Sequence, residues 1–563
     1  MKRLAIRLGI SLASGMGLTL ALLWLLGNPR SADLPVAYAA EWHVCLSGCP
    51  YASIQDAVDA AGDGDVIKVA AGTYTGVNAR PGQDLTSTGV VTQLVYVSKT
   101  ITLQGGYTPT DWTTSDPTAN PTTLDARGQG RVLYITGDIS PTIEGLRLTG
   151  GRETRPGGQQ DSFGDGGGVY VISAAATIRN NWVFSNTANL GGGLYLVASA
   201  ATLHGNTIIS NTGMMGGGGL YLDFSAARLD GNMVVSNTAI GGRGGGVQLF
   251  YSPATLNGNT VSANSARRGG GLYLYTSPAT LSGNTVSANS DDYFGGGGGL
   301  LLMSSDATLS GNTIMSNTSE DNGGGLHLDS SNATLNGNLI ISNTSNNGDG
   351  GGVYLRSSAA TLNGNTVAAN VAITGSGGGL YLTAHSDATL VNNLVADNQA
   401  NSPGSGLSIV SSAPRLLHTT IARNRGGDGS GVTIDFSATP VMTNTILVSQ
   451  TVGFTVTQGA TATLIGTLWG SGAWANGADW GGAGAIVTGT VNVFGDPEFA
   501  DPDAGDYHLG PGSAALDAGL NAGVMMDIDH QPRPYQAPDL GADEYWPPGA
   551  LKYVYLPLVS KNY

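Results

Sequence analysis

The sequence predicts an all-β chain: a single right-handed parallel β-helix with three short strands per coil, an N-terminal helical cap and a small C-terminal domain. Three observations predict it. From Gly167 to about Asn444 one motif recurs eleven times, and GGGLYLVASAATLHGNTIISNT, residues 191–212, is a typical copy. Copies follow one another every 25 to 28 residues, a period at which each unit buries its apolar face against the next. Within a copy, GGGLYL, ATLHGN and TIIS are short and alternate apolar with outward positions, which is strand rather than helix periodicity. Leucine-rich repeats would need L-x-x-L-x-L, and helical repeats would need longer amphipathic runs. Neither is present.

Each copy carries three anchors. The first is the apolar residue after the glycines, as in Val169, Leu194, Leu220, Val247, Leu272, Leu300 and Leu326. Twelve residues on comes Asn: Asn181, Asn206, Asn232, Asn259, Asn284, Asn312, Asn338 and Asn365. The copy at Leu380 takes 13 steps to Asn393, the copy at Leu407 places Thr419 there, and Val432 leads to Asn444. Five residues later comes a second Asn, from Asn186 to Asn424. Only the return to the next copy varies, from 8 to 11 residues, so coil length changes at one corner. Asn tolerates turn conformations, and its amide can bond to backbone and to the Asn above, so Asn206 through Asn365 read as a structural ladder. Leu194, Leu196, Leu203, Ile208 and their counterparts are the expected inner columns. At ~4.8 Å per coil, eleven copies make a rod on the order of 50 Å long.

From the N-terminus, Lys2, Arg3 and Arg7 precede the apolar run 8–26, and Ala37-Tyr38-Ala39-Ala40 supplies an A-x-A site. This fits a cleaved secretory signal; the rival is an uncleaved anchor, since the run is long enough to span a bilayer. The 563-residue chain carries 24 Lys+Arg against 40 Asp+Glu, a net of −16. Residues 1–40 hold four basic residues and one Asp, so their removal leaves −19. Cys45 and Cys49 are the only cysteines. In an exported protein they are expected to bridge; a metal site would need more ligands than nearby His43. In 53–74, Ser53 and Asp56 approximate a capping box. Ile54, Ala57, Val58 and Ala61 share a helical face that Gly62 ends, a suitable cover for an open solenoid end. Val66-Ile67-Lys68-Val69 is the first strand, and irregular coils follow, with loops at 75–92 and 151–166. After Asn444 the pattern loosens into two imperfect coils, with a loop at 470–484. The chain thus divides into a signal peptide (1–40), a cap with the Cys pair (41–64), a β-helix (65–493, regular over 167–450), a small C-terminal domain (494–546) and a tail (547–563). The tail is too short to span a membrane.

The repeat resembles the right-handed β-helix repeats of the pectin-lyase-like superfamily. GGGLYL together with VFSN or IISN (183–186, 208–211) looks like the GGA-(I/L) and FxxN motifs of polymorphic outer-membrane adhesins. Residues 496–545 are similar to the C-terminal domain of choice-of-anchor surface proteins. Asp496, Pro497, Phe499, Pro511, Gly512, Ser513, Asp517, Gly519, Asp527, Asp529, Arg533, Pro534, Asp539, Gly541, Ala542 and Glu544 match its pattern. His530 stands where Gly is common, a departure from a calcium loop at 527–529. The resemblance implies the fold and an extracellular or cell-surface location, not a reaction.

Chemistry is sparse. Glycan hydrolysis would need clustered carboxylates, and the candidates are Asp291-Asp292, Glu320-Asp321, Asp223, Asp329 and Asp435. No copy carries NTD, DD, GHG and RIK together. An acidic chain is a poor host for an anionic polymer, and Arg267-Arg268 is the only basic pair in the repeats. No Gly run opens a helix or gives G-x-x-x-x-G-K-(S/T), so no nucleotide site is expected. Charge disfavours nucleic acid. No cofactor or metal is called for, and contact with a membrane is expected only through export or anchoring. The residue between the two inner leucines should point outward. Read down the rod, that column holds Tyr170, Tyr195, Tyr221, Tyr273, Tyr354 and Tyr381, with Gln248, Leu301, His327, Ser408 and Thr433 in between. It is either a track for stacking sugar rings or simply a set of strand tyrosines packing on one another. The variable corner beside it, with Met214-Met215 and 291–294, would form a lip. The expected role is non-catalytic adhesion or glycan binding, with an extracellular glycan or cell-surface polymer as partner. The alternatives are a polysaccharide lyase or glycoside hydrolase, and a passive structural surface protein.

Overall fold

The computed structural model describes residues 39–82, 89–152, 164–292 and 295–550. The expected signal segment up to 38, the tail from 551, and parts of the loops at 75–92, 151–166 and 291–294 lie outside them. The described chain is an all-β, right-handed parallel β-helix of about 17 turns.

A regular copy contributes Leu194–Val197 to a first ladder, Thr202–His204 to a second, Thr207–Ile209 to a third and Thr212–Gly216 to a fourth. Neighbouring copies pair in parallel and in register: Leu194 on Leu220, Leu203 on Leu229, Ile208 on Val234. The ladders hold 16, 17, 16 and 10 strands. The three expected strands per coil are joined by the fourth, which runs through the corner of variable length. Its strands shrink to two residues at places such as Ser290–Asp291. A run that short has no readable period, and the asparagine just before it holds it in register instead.

The inner columns are closed: Leu194, Leu196, Leu203 and Ile208 are fully buried. Two asparagine ladders flank the third strand. In one, Asn259 donates its backbone N–H to Asn284 Oδ1 (2.9 Å), and its Nδ2 to Leu229 O (2.9 Å) and to the same Oδ1 (3.0 Å). Asn264 repeats this with Asn289 and Val234 O. In these rungs the buried turn amides thereby meet acceptors, as burial demands. A third ladder, of serines, closes the corner after the first strand: Ser252 N donates to Ser277 Oγ and Ser277 N to Ser305 Oγ, each at 3.0 Å.

At the N-terminal end the helix Ile54–Ala60 is capped by Ser53 Oγ, which accepts from Asp56 N at 3.3 Å. Its Ile54, Ala57 and Val58 join the solenoid core. Gln55 hooks it to Tyr96 through both backbone groups (2.7 and 3.2 Å). Cys45 and Cys49 are disulfide-bonded, with Cα atoms 5.5 Å apart. Part of the expected loop at 470–484 is ordered as strand: Ala478–Gly481 pairs with Val452–Val456.

Residues 496–546 lie along the side of the last regular coils. Phe499, Tyr507, Leu509 and Leu540 pack on outward residues of the third ladder, among them Leu394, Ile446 and Leu468. The coils from Gly205 to Gly364 place Gly at the turn before the third strand, each with positive φ, and the first regular coil places Asn180 there. The last three place Asn392, His418 and Asn444 there, with φ of 49 to 55°. Asn392 Nδ2 donates to Met526 O (2.6 Å), and Asn444 donates to Leu520 O and accepts from Leu520 N (2.6 and 2.8 Å). His418 packs its ring between Asn444 and Asp539 O. At the other edge, where earlier coils carry Ser or Ala, Asp397 accepts from Tyr507 Oη (2.5 Å) and Arg423 donates to Asp503 (2.7 Å). Asn444 is therefore not a rung of the Asn ladder. The copy at Val432 has one extra turn residue, Phe436 and Ser437 both having positive φ, as Ala384 and His385 do in the copy at Leu380. Thr445 takes the rung.

Candidate functional site

The outer face of the first ladder divides into a closed and an open stretch. In the closed stretch, Tyr96, Tyr134, Tyr170, Tyr195 and Tyr221 stack ring on ring at 5.1 to 5.4 Å. This corrects the expected exposure of the tyrosine column. Tyr273 is 1% and Tyr354 9% exposed, Tyr170, Tyr195 and Tyr221 are buried as well, and Tyr381 is half-buried. The cause is the corner. The chain returning from the fourth ladder passes directly over the column on glycine backbone. At Gly217 (φ +55°), a Cβ would lie 2.7 Å from that of Tyr221. Tyr195 Oη donates to Asp223 Oδ2 (3.0 Å), which burial holds above the usual carboxylate range. Alternation placed these rings on the outer face correctly; it carries no information about what lies on that face.

The aromatic surface that does reach solvent is one step further along the strand. Phe224 is 60% and Tyr251 38% exposed, and they stack at 5.1 Å. Phe250 and Tyr275, half-buried, stack at 5.3 Å beside them. Phe224 and Tyr251 occupy a left-handed turn position (φ 46° each) held by Ala, Ser or Thr in most copies. That substitution was their sequence signal.

Down the same column, Tyr275 is in register with Met303, Met303 with Asp329, and Asp329 with Arg356. These last three line a cleft of about 400 Å³ with Arg268, Leu301, Asp321, Asn322, His327 and Tyr354. Arg356 donates to Asp329 at 3.2 Å. His327, 7% exposed, makes no hydrogen bond at either ring nitrogen, and burial lowers its pKa to about 4. Burial raises that of Asp321. Adjoining it, through shared Arg268, a second cleft of about 270 Å³ is lined by Met215, Arg243, Arg267, Arg268 and two glycines. Arg243 pairs in register with Arg268 and lies 5.4 Å from the centre of the Tyr273 ring. The fold thus joins a third arginine to the pair visible in sequence.

Asp291 and Asp435 are held by hydrogen bonds within the solenoid. Asp291 is buried in a column otherwise filled by Ala, Gly or Ser. It accepts from Glu320 N and Ser319 Oγ (2.8 Å each), and burial pushes its pKa up to about 7. Asp435 accepts from Thr457 Oγ1 and from Phe436 N. The site therefore offers flat apolar rings, guanidinium and amide donors, and carboxylate acceptors along several coils.

A parallel solenoid with these stacked ladders is a right-handed β-helix protein. The model of the family described as "Right handed beta helix region" matches residues 131–314, 230–395 and 304–468, together more than half of the chain, which therefore belongs to that family. No curated protein matches it. Among solved structures it is similar to PfbA, a surface adhesin of Streptococcus pneumoniae (10% identity over 65% of this chain and 86% of that one, TM-score 0.30). It is also similar to a tailspike double mutant of E. coli bacteriophage HK620 in complex with pentasaccharide (10%, 78% and 75%, TM-score 0.33). A third similarity is to pectate lyase Pel9A (11%, 90% and 96%, TM-score 0.20). At these scores they say nothing about the site.

Proposed function

We propose that the chain is an exported β-helix protein, held at the cell surface or released, that binds a glycan without cleaving it. The glycan lies along the outer face of the first ladder, from Phe224 to Arg356. The observation that carries this is the exposed aromatic ledge running into a cleft of charged and amide side chains. Sugar rings present apolar C–H faces that stack on aromatic planes, and hydroxyls that guanidinium, amide and carboxylate groups bind. Arg243, Arg267 and Arg268 line the smaller cleft, which has no carboxylate in its lining, while Arg268 and Arg356 stand with Asp321 and Asp329 in the larger one, so an acid group on a sugar unit is favoured at the smaller cleft alone. Export is supported by the basic, apolar and A-x-A segments at 1–40 and by the Cys45–Cys49 bond, which persists in oxidising compartments. The resemblance of 496–545 to choice-of-anchor domains supports surface attachment.

The test is a glycan array with the full chain. Binding is expected, and the Phe224→Ala/Tyr251→Ala variant should weaken it at least ~10-fold, the scale of losing two stacking platforms. No binding to any glycan would instead support a passive structural role. Release of reducing or unsaturated ends that stops in Asp321→Asn would overturn the non-catalytic reading.

A further inference from the structure

The two ends of the solenoid are finished differently. At the N-terminal end the helix Ile54–Ala60 packs into the core, and Val44, Ile67 and Val69 beside it are fully buried. At the C-terminal end the last coil consists of Ala478–Gly481, Ala485–Thr488 and Asn492–Gly495. Each of these strands pairs with the coil before it, and among the described residues none pairs with a strand beyond. The inner columns therefore run out into solvent. Register sets Trp480 on Phe454 and Phe454 on Val432; it sets Phe494 on Trp469 and Trp469 on Leu447. Phe454, Val432, Trp469 and Leu447 are fully buried, yet Trp480 is 48% and Phe494 63% exposed. Ile486, half-buried, stands in register with buried Ala462. Terminal units of a solenoid normally cover such a core section, and an open strand edge recruits another strand.

A sequence suited to the task follows in the same chain. Residues 551–563, which lie outside the described residues, read LKYVYLPLVSKNY. Tyr553-Val554-Tyr555-Leu556 and Leu558-Val559 are strand-forming residues, apolar at odd and even positions alike. Pro557 has no N–H to offer a further strand, which suits the outermost position of a ladder. The two charged residues, Lys552 and Lys561, are basic, whereas the last coil and its exit carry Asp479 and Asp496. The segment also starts nearby. Ala550 N donates to Pro547 O, and Pro547 lines a cleft with Leu516 and Asp517. Leu520, just beyond, bonds to Asn444, two coils before the last. That is ~10 Å along the rod, while thirteen extended residues reach roughly 40 Å. A tethered segment also meets the end at a far higher effective concentration than a second molecule does.

We infer that residues 551–563 close the C-terminal end of the solenoid. They lay Tyr, Val and Leu side chains over Trp480, Ile486 and Phe494 and pair with the open edge of the last coil. The exposed end is thus a docking surface for the chain's own tail, and it is independent of the glycan face.

The experiment is hydrogen exchange read by mass spectrometry on the full chain and two full-length variants, with exchange across 194–450 reporting that each is folded. In the unaltered chain 478–495 should be protected at every protein concentration. Tyr555→Asp/Leu556→Asp should speed exchange there at least ~10-fold and leave 194–450 unchanged. Phe494→Ser changes the other partner and should free the tail, so that trypsin cuts after Lys552 at least ~10-fold faster. Three results would overturn the inference: rapid exchange across 478–495 in the unaltered chain, protection there that survives the tail substitutions, and protection that appears only as the concentration rises. The last would assign the end to a second copy.

Discussion

Asn284 and Tyr273 stand in the same copy, each one residue of a column that runs the length of the rod. Asn284 bonds to Leu256 O in the copy before it and to Asn312 in the copy after it, and accepts from Asn259, at spacings that the copies repeat. Tyr273 is buried by chain that its copy does not determine: the return from the fourth ladder, whose length varies from coil to coil. A column whose partners are its own counterparts one coil away can be read from the repeat. A column on a sheet face takes its meaning from whatever crosses that face.

Asn284→Ala should be the most damaging single change. It strands Asn259 N–H and Leu256 O in the core, at about 3–5 kcal/mol. The loss is read as a lowered urea midpoint, with hydrogen-exchange protection failing first in the coils on either side. Protection lost evenly along the rod would mean that the ladder acts as one unit. Tyr195→Ala should cost nearly as much, about 3–4 kcal/mol, because it opens a cavity in a closed stack. Tyr195→Phe should cost about 1 kcal/mol, through the bond to Asp223. An equally mild Tyr195→Ala would restore the idea of an exposed track. A smaller effect concerns Asp291. Its folded pKa of about 7 lies above an unfolded value of about 3.9, so the folded state holds the proton more tightly. Its contribution is full below pH ~4 and is lost as pH rises toward 7. Asn, which can still accept from Glu320 N, should flatten that part of the stability–pH curve, checked by urea melts at pH 4.5 and 7.5. Last, Phe224→Ala should change stability by less than about 1 kcal/mol while reducing glycan binding.

Most of the fold was legible because the 12- and five-residue spacings pin strands to turns in every copy. The fourth ladder was not, since its strands are too short to show a period. The site was half legible. Arg267, Arg268, His327 and Asp321 were visible as residues, but only the stacking of coils brings them together with Arg243 and Arg356. The docking of the C-terminal segment did leave a trace in sequence. Gly gives way to Asn392, His418 and Asn444 in the last copies, and Ser or Ala to Asp397 and Arg423. Read from a single copy, these look like a decaying motif; read against the segment, they are its grip.

That grip has a mechanical consequence. Asn392, His418 and Asn444 sit on three successive coils, and Asp397 and Arg423 on two of the same coils. A pull on the chain beyond Trp546 is therefore delivered across the side of the rod and shared among several coils in shear. The terminal coil is spared the peeling load that a simple end-to-end continuation would place on it.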